Sequence, residues 1–234
     1  PSIVLAGMAD WRLQSVVLAC TYVAFPLFGF MLHALWPALL PPPLWVGLLF
    51  FCFLPSTVQS SVSFTSMARG NTAVAVCAAT LSNLIGVFLT PLLVGLLLSG
   101  CGADIGVSQV VKIGTQLILP FLAGQLLRPK LANWAHRRRS LLLISDRSAI
   151  LLSVYTAFSA AAVLGLWSRI PAWQLWMLGT VCVAMLFAVM AVAVLGSRLL
   201  GLSRDDEVAV LFCGSHKSLA TGIPTASALF SGAT

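Results

Sequence analysis

Two blocks of small polar residues interrupt apolar stretches of the sequence, and each block lies beside a proline or a glycine. The first covers residues 53–61 (FLPSTVQSS), and the second covers residues 212–224 (FCGSHKSLATGIP). Hydroxyl, amide, imidazole and ammonium groups at such places could bind a small ion or a polar solute. Hydrocarbon offers no hydrogen bond to a freed N–H or C=O, so irregular backbone at mid-depth persists only where protein or a watery cavity satisfies it. The two blocks therefore predict a polar site inside a membrane.

The candidate site residues are polar side chains in these blocks, together with a Ser-Asn pair in the span that follows the first block. They are Thr57, Gln59, Ser60, Ser61, Ser82, Asn83, Ser215, His216, Lys217, Ser218 and Thr221. A lysine at the centre of a bilayer costs about 2.5–3.5 kcal/mol on insertion scales, so it is rarely there without a role. Two plainer readings remain open: Lys217 could extend to an aqueous vestibule, and His216 could be structural rather than a proton relay.

The composition places the chain in a bilayer. Hydrophobic residues make up 59% of the sequence and charged residues 8%, with a mean hydropathy of +1.01. A soluble protein normally has charged side chains at about a quarter of its positions. The net charge of +7 does not indicate a nucleic-acid partner, because the basic residues are neither interleaved with exposed aromatic residues nor spread along a soluble face.

Seven stretches of the sequence are long enough to cross a hydrocarbon core, which takes about 20 apolar residues in helical form. No stretch alternates apolar and polar residues as the strands of a membrane barrel do. The sequence therefore predicts an all-α polytopic membrane protein with seven transmembrane helices. We place the spans at Leu13–Leu32, Leu44–Ala68, Thr72–Leu98, Val110–Leu127, Ala149–Leu166, Leu175–Leu195 and Val208–Phe230.

Loop charges orient these spans with the N-terminal end of the chain in the cytoplasm. In that orientation ten basic residues lie inside and only Arg169 clearly lies outside. Such an asymmetry is what the positive-inside rule predicts. The ten are Arg12, Arg69, Arg128, Lys130, Arg137, Arg138, Arg139, Arg147, Arg198 and Arg204.

Other kinds of site find no support in the residue pattern. Five of the six cysteines fall inside predicted helices, and no paired cysteine or histidine spacing suggests a metal site. The spans also lack a carboxylate pair or a nucleophile-and-base pair. We therefore expect neither an enzyme nor a cofactor, apart from Na⁺ or H⁺ as a coupling ion.

The two interrupted spans are the second and the seventh, so they cross the membrane in opposite directions. An inverted repeat of five helices produces that arrangement, and substrate sites in such folds lie at the midplane between the repeats. At 1.5 Å per residue, Thr57 lies roughly 20 Å from Leu44, and Lys217 roughly 14 Å from Val208. Both blocks are therefore expected near mid-depth.

Three runs of residues carry a resemblance to a known family. They are residues 55–71 (PSTVQSSVSFTSMARGN), residues 90–95 (TPLLVG) and residues 212–224 (FCGSHKSLATGIP). With these runs the sequence resembles the bile acid:sodium symporter family, and more narrowly its bacterial branch related to the seventh human bile-acid-carrier homologue. The likeness extends from about Trp11 to Phe230.

The resemblance implies a ten-helix inverted-repeat transporter fold in which two broken helices cross. This chain would be one membrane domain over residues 1–234 that supplies helices three to nine, so we expect residues to be missing at both ends. Core helices would lie within 13–98 and 175–230, and panel helices within 110–166. The implied function is the movement of a small organic anion across the lipid bilayer by alternating access. The implied location is the inner membrane of a bacterium.

Sodium coupling is the point where the sequence departs from the family. Sodium-driven relatives carry an acidic residue in the ninth helix, whereas this chain has the neutral and basic run 210–217 (VLFCGSHK) there. A sodium ion would have to rely on neutral oxygens. We hypothesise that the Lys217 ammonium occupies the place of a bound sodium, held by hydroxyls and carbonyls of the broken helices, and titrates or binds an anionic substrate. A sodium-coupled symporter and a non-transporting membrane regulator remain as alternatives, and the sequence leaves the substrate and the oligomeric state open.

Overall fold

The structure of this chain is a computed structural model, which describes residues 11–98, 137–163, 165 and 170–230 and scattered positions between 115 and 134. Within these residues the regular elements are all helices. We number the α-helices in chain order. They are α1 (Trp11–Ala19), α2 (Phe25–Leu35), α3 (Pro42–Cys52), α4 (Val58–Met67), α5 (Thr72–Leu93), α6 (Arg139–Val163), α7 (Ala172–Leu199), α8 (Arg204–Ser215) and α9 (Leu219–Phe230).

Four continuous helical stretches of the described chain are long and apolar enough to cross a membrane. The first joins α1 to α2 through a π-helical turn at Cys20–Ala24. The four stretches are Trp11–Leu35, Thr72–Leu96, Ser140–Val163 and Ala172–Leu199. They confirm that the protein is an all-α polytopic membrane protein.

Two further predicted spans are each divided into two short helices. In one of them α3 ends at Cys52 and α4 begins at Val58, and in the other α8 ends at Ser215 and α9 begins at Leu219. Each half has 10 to 12 residues, which is too short to cross the hydrocarbon core alone. The helices are thus interrupted at the places where the polar blocks predict it.

One predicted boundary is wrong. The span expected at Ala149–Leu166 belongs to α6, which begins at Arg139 and therefore includes Arg147, a residue that the sequence assigned to a loop. A charged side chain costs free energy when it is placed in an apolar environment, but it leaves the hydrogen bonds of the helix backbone intact. The polar residues 145–148 (SDRS) therefore interrupt the apolar pattern without ending the helix, whose residues 141–144 (LLLI) are already apolar. Of the predicted span Val110–Leu127, only scattered positions fall among the described residues.

The chain divides into two compact units. The first comprises the described parts of residues 1–104 and 172–218, and the second those of 105–171 and 219–234. In the second unit α6 contacts α9. Assignment of helices to a moving core and a panel stays a prediction.

Helix α8 is central to the first unit, where it packs against α1, α4, α5 and α7. Gly214 lets α8 approach the π-helical turn that follows α1, since a Cβ atom at this position would lie 3.0 Å from the Cβ of Cys20. At the other end of α8, Ser203 caps the helix and three acidic residues follow in the first turn. The buried residues around α8 include Leu13, Val17, Cys20, Ala75, Ala78, Ala79, Val189, Ala193, Ala209, Val210 and Cys213.

Candidate functional site

The two helix breaks pair with each other through their backbones. Ser56 and Lys217 form an antiparallel bridge of the kind found between β-strands. Beside it the amide of Thr57 donates to the carbonyl of His216 at 3.4 Å, and the amide of Ser218 donates to the carbonyl of Pro55 at 2.9 Å. Each break thus supplies hydrogen bonds that the other loses by leaving the helical conformation. This is the internal satisfaction that non-helical backbone needs at membrane depth.

Ser56 is held on every polar atom by neighbouring elements. Its amide donates to the hydroxyl of Ser82 at 3.1 Å, and its own hydroxyl donates to the carbonyl of Cys213 at 2.6 Å. The carbonyl of Ser56 accepts a hydrogen bond at 2.6 Å from the side-chain amide of Asn83, which also donates to the carbonyl of Ala79 at 2.8 Å. The Ser82-Asn83 pair that the sequence singles out therefore holds the backbone of the first break.

Two further hydroxyls satisfy carbonyls that the breaks expose. Thr90 donates to the carbonyl of Phe53 at 2.9 Å, and Ser61 donates to the carbonyl of Phe212 at 3.1 Å. Ser61 is one of the predicted site residues, whereas Thr90 was not among them. Two sequence signals could have marked it: Thr90 begins the run 90–95 (TPLLVG) that carries the family resemblance, and it immediately precedes Pro91 in a long apolar helix.

The Lys217 ammonium lies among three backbone carbonyls. Its Nζ atom donates to the carbonyls of Thr21 at 2.7 Å, Cys52 at 2.8 Å and Leu54 at 2.8 Å. An ammonium group has three N–H donors and no acceptor, so these three oxygens match its full hydrogen-bonding capacity. The ring centroid of Phe25 lies 4.4 Å from Nζ, close enough for a cation–π interaction.

Within the part of the chain that the structure describes, backbone dipoles and not a carboxylate stabilise the charge of Lys217. Among the described residues the ion pairs are Arg198–Glu207 and Arg204–Glu207, both at the beginning of α8 and away from Lys217. Oriented carbonyls hold cations in the same way in ion-selective channels. The arrangement around Nζ is therefore that of a cation site in which the cation belongs to a side chain.

The helix break explains why the carbonyl of Cys52 is available. Cys52 is the last residue of α3, and a continued helix would direct the amide of Ser56 to its carbonyl. That amide binds Ser82 instead. The Cys52 carbonyl is thereby left to accept a hydrogen bond from Lys217.

His216 contacts a different set of residues from Lys217. Its backbone is extended, with φ −96° and ψ 135°, and consecutive side chains in extended backbone point to opposite sides. The Nδ1 atom lies 3.0 Å from the carbonyl oxygen of Phe212 and 3.1 Å from the hydroxyl of Ser215. The imidazole ring lies 5.3 Å from the ring centroid of Phe64. We call the paired breaks, residues 55–57 and 216–218, the crossing. Lys217 and His216 lie on opposite sides of it.

Of the remaining predicted site residues, Ser215, Thr57, Ser60 and Gln59 belong to the first unit and Thr221 to the second. Ser215 donates to the carbonyl of Leu211 in its own helix at 2.6 Å. Thr57 and Ser60 are half-buried, and Gln59 is exposed on α4. Thr221 lies in α9 of the second unit, where its carbonyl accepts a hydrogen bond from Thr225 at 2.6 Å.

The sequence analysis expected hydroxyls and carbonyls of the broken helices around Lys217. It could not name the individual carbonyls, and it did not expect the Thr21 carbonyl of the first span. A carbonyl is common to every residue, so no residue type marks it as a ligand. Two prolines near these carbonyls are the sequence signal that could have indicated free backbone oxygens. Pro55 lies in the first break, and Pro26 lies inside the first span just after the π-helical turn.

Comparisons with known proteins give the family. A sequence profile of the SBF-like CPA transporter family matches residues 1–234. An uncharacterized protein of Pseudomonas aeruginosa is 48% identical over 229 residues, which cover 97% of this chain and 68% of the relative. The protein named "Putative symporter YfeH" of Escherichia coli is 46% identical over 228 residues, with the same coverage of 97% and 68%. "Sodium/bile acid cotransporter 7" of Rattus norvegicus is 26% identical over 184 residues, which cover 76% of this chain and 53% of the relative.

These matches confirm the resemblance that the three sequence runs carry. The profile covers the whole chain, and two relatives approach half identity along nearly all of it. The chain therefore belongs to the SBF-like CPA transporter family, whose relatives include proteins named as symporters and cotransporters.

Proposed function

We propose that the protein is a secondary carrier of a small organic anion that works by alternating access and needs no sodium. In this proposal the Lys217 ammonium takes the place of the coupling cation. One observation carries it: three carbonyl oxygens surround the Nζ atom at 2.7–2.8 Å, so they hold a positive charge at the paired breaks without a bound ion.

The carbonyl arrangement supports independence from sodium. A free cation in this place would need the oxygens of Thr21, Cys52 and Leu54, which already bind the ammonium. It would also meet the positive charge of Lys217 at close range in a medium of low polarity. The tethered cation therefore excludes a free sodium ion from this place.

The same arrangement suggests how Lys217 acts on an anion. Its three N–H groups bind carbonyls, so the ammonium stabilises a nearby negative charge through its electric field and not by direct hydrogen bonds. Direct polar contacts to the solute are assigned to the accessible groups near the crossing. Those groups are Thr57, Gln59, Ser60 and His216.

Protons are the natural candidates for a coupling ion. If Lys217 loses its proton, the positive charge disappears and the amine retains two N–H donors for three carbonyls. The binding of an anion and the protonation of Lys217 would then favour each other, as thermodynamic linkage requires. Uptake of the anion together with a proton is the expected form of transport.

We assign the chain to the plasma membrane of a bacterium, with its N-terminal end in the cytoplasm. The asymmetry of the loop charges supports the orientation. The organisms of the two relatives near half identity support the bacterial membrane.

Sodium coupling is the second candidate, and the name of the relative from Rattus norvegicus favours it. That relative is 26% identical, far below the two bacterial relatives. For this chain the contacts of Lys217 favour transport without sodium over sodium-coupled transport.

The proposal is tested by thermal-shift screening of the full-length protein against a panel of organic anions, once in sodium chloride and once in choline chloride. We expect at least one anion to raise the melting temperature by the same amount in both salts. Stabilisation that appears only with sodium would refute the sodium-free proposal. Anions that stabilise the protein are then tested for uptake into liposomes, where stabilisation without uptake would favour a membrane regulator over a carrier.

A further inference from the structure

The first span contains a local distortion that bears on Lys217. Residues Cys20–Ala24 form a π-helical turn, in which the amide of Phe25 donates to the carbonyl of Cys20, five residues earlier. Continuing that register, the amide of the next residue would donate to the carbonyl of Thr21. The next residue is Pro26, which has no amide hydrogen. The Thr21 carbonyl therefore receives no amide donor from its own helix.

This freed carbonyl is buried and directed at the crossing. Thr21 is 0% exposed, so water cannot replace the missing amide. The donor that it receives is Nζ of Lys217 at 2.7 Å, the shortest of the three ammonium contacts. Phe25, which ends the π-helical turn, places its ring on the same ammonium. Single-turn π-helical distortions of this kind occur frequently at functional sites.

We infer that the carbonyls of Thr21, Cys52 and Leu54 form a binding site for primary ammonium groups, and that Pro26 is the positioning residue that creates its third acceptor. The inference rests on the proposed role of Lys217 and goes beyond it in naming the ligand class and the residue that sets it. The first span, which contains no part of either polar block, then supplies one of the three oxygens.

Geometry distinguishes an ammonium from an alkali ion at this site. Three oxygens complete the bonding of a group with three directed N–H donors. An alkali ion has no directed bonds and needs oxygens that replace its whole hydration shell. The face of Phe25 occupies part of the surroundings of Nζ, where it can support a cation but supplies no oxygen. The site should therefore prefer ammonium and methylammonium over sodium and potassium.

Removal of the tethered ammonium makes this preference measurable. In the full-length Lys217→Ala variant the three carbonyls lose their donor, and a small amine can enter the vacated space. We expect methylammonium chloride to raise the melting temperature in a concentration-dependent way, since a ligand that binds only the folded state stabilises it. Sodium, potassium and tetramethylammonium chloride, at the same ionic strength, should have no comparable effect. Equal stabilisation by sodium or potassium would show a general cation site and overturn the inference.

The role of Pro26 is tested in the same background. In a Lys217→Ala, Pro26→Ala double variant, residue 26 regains an amide that can occupy the Thr21 carbonyl. The affinity for methylammonium should fall by about tenfold or more, which is the loss expected for one hydrogen bond to a charged group. The matched control is Pro91→Ala in the Lys217→Ala background, because Pro91 also lies inside a helix of the first unit. A fall of the same size in the control, or none with Pro26→Ala, would refute the assignment.

A second measurement does not require Lys217→Ala to fold. With Lys217 in place, its reactivity toward an amine-acylating reagent can be followed by mass spectrometry. Pro26→Ala should raise the rate of acylation several-fold, while Pro91→Ala should leave it near the wild-type rate. Unchanged reactivity in Pro26→Ala would count against the inference. Neither readout depends on transport, so sodium-dependent uptake would defeat the proposed function and leave the ammonium site standing.

Discussion

Ser56 and Lys217 lie opposite each other in the antiparallel bridge that joins the two helix breaks. The hydroxyl of Ser56 binds the second broken helix at the carbonyl of Cys213, while the ammonium of Lys217 binds the first broken helix at the carbonyls of Cys52 and Leu54. Each break is thus fixed by a side chain from the other. A change at either residue should therefore affect both breaks.

Ser56→Ala should destabilise the protein. The substitution removes a 2.6 Å hydrogen bond and leaves the carbonyl of Cys213 without that donor in a buried place, at a cost of about 1–3 kcal/mol. Thermal unfolding of the purified full-length protein measures the effect. Ser63→Ala is the matched control, because Ser63 is exposed on the adjacent helix α4. Equal melting temperatures for both variants would contradict the role given to Ser56.

Asn83→Asp should be more damaging than Asn83→Ala. The side-chain amide of Asn83 donates to two carbonyls, those of Ser56 and Ala79. An ionised aspartate has no donor and would place a negative charge against both oxygens, whereas alanine only removes the hydrogen bonds. Stability and uptake should both fall in the order wild type, Asn83→Ala, Asn83→Asp. If Asn83→Asp instead created sodium-stimulated uptake, Asn83 would be a ligand of an ion and not a support of the break.

Gly86→Ala should disturb the first break by steric contact alone. A Cβ atom at this position would lie 2.5 Å from the hydroxyl oxygen of Tyr22 and 2.8 Å from Cβ of Pro55. Both distances are shorter than van der Waals contact, so Pro55 or Tyr22 must move. Gly47→Ala in α3 is the control, since its Cβ would meet nothing within 4 Å. Uptake should fall in Gly86→Ala and stay near the wild-type rate in Gly47→Ala. Equal uptake by both variants would show that the tight contact at Gly86 does not affect transport.

The sequence predicts the kind of fold and the location of the breaks, because both depend on side-chain types. Runs of apolar residues mark helices in a membrane, and polar residues with proline at Pro55 mark an interruption that lipid would not tolerate. The beginning of α6 at Arg139 could not be predicted in this way, since a helix can continue through a polar interruption such as residues 145–148 (SDRS).

The structure of the site itself was only partly predictable. Lys217 could be singled out by the cost of burying its charge, and Asn83 by the cost of an amide in an apolar helix. Their partners could not, since these are carbonyls whose availability depends on three-dimensional hydrogen bonding. The Thr21 carbonyl shows this best, because it is freed by Pro26 and a π-helical turn far from Lys217 in the sequence.

The most direct test of the central claim is the initial rate of uptake of a stabilising organic anion into liposomes, measured in sodium chloride and in choline chloride. The full-length wild type should transport at the same rate in both salts. Lys217→Ala should lose uptake in both, by about tenfold or more if the charge contributes at least 1.4 kcal/mol to anion transport. Wild-type uptake that rises with sodium and persists in Lys217→Ala would contradict the claim that the Lys217 ammonium replaces the coupling cation.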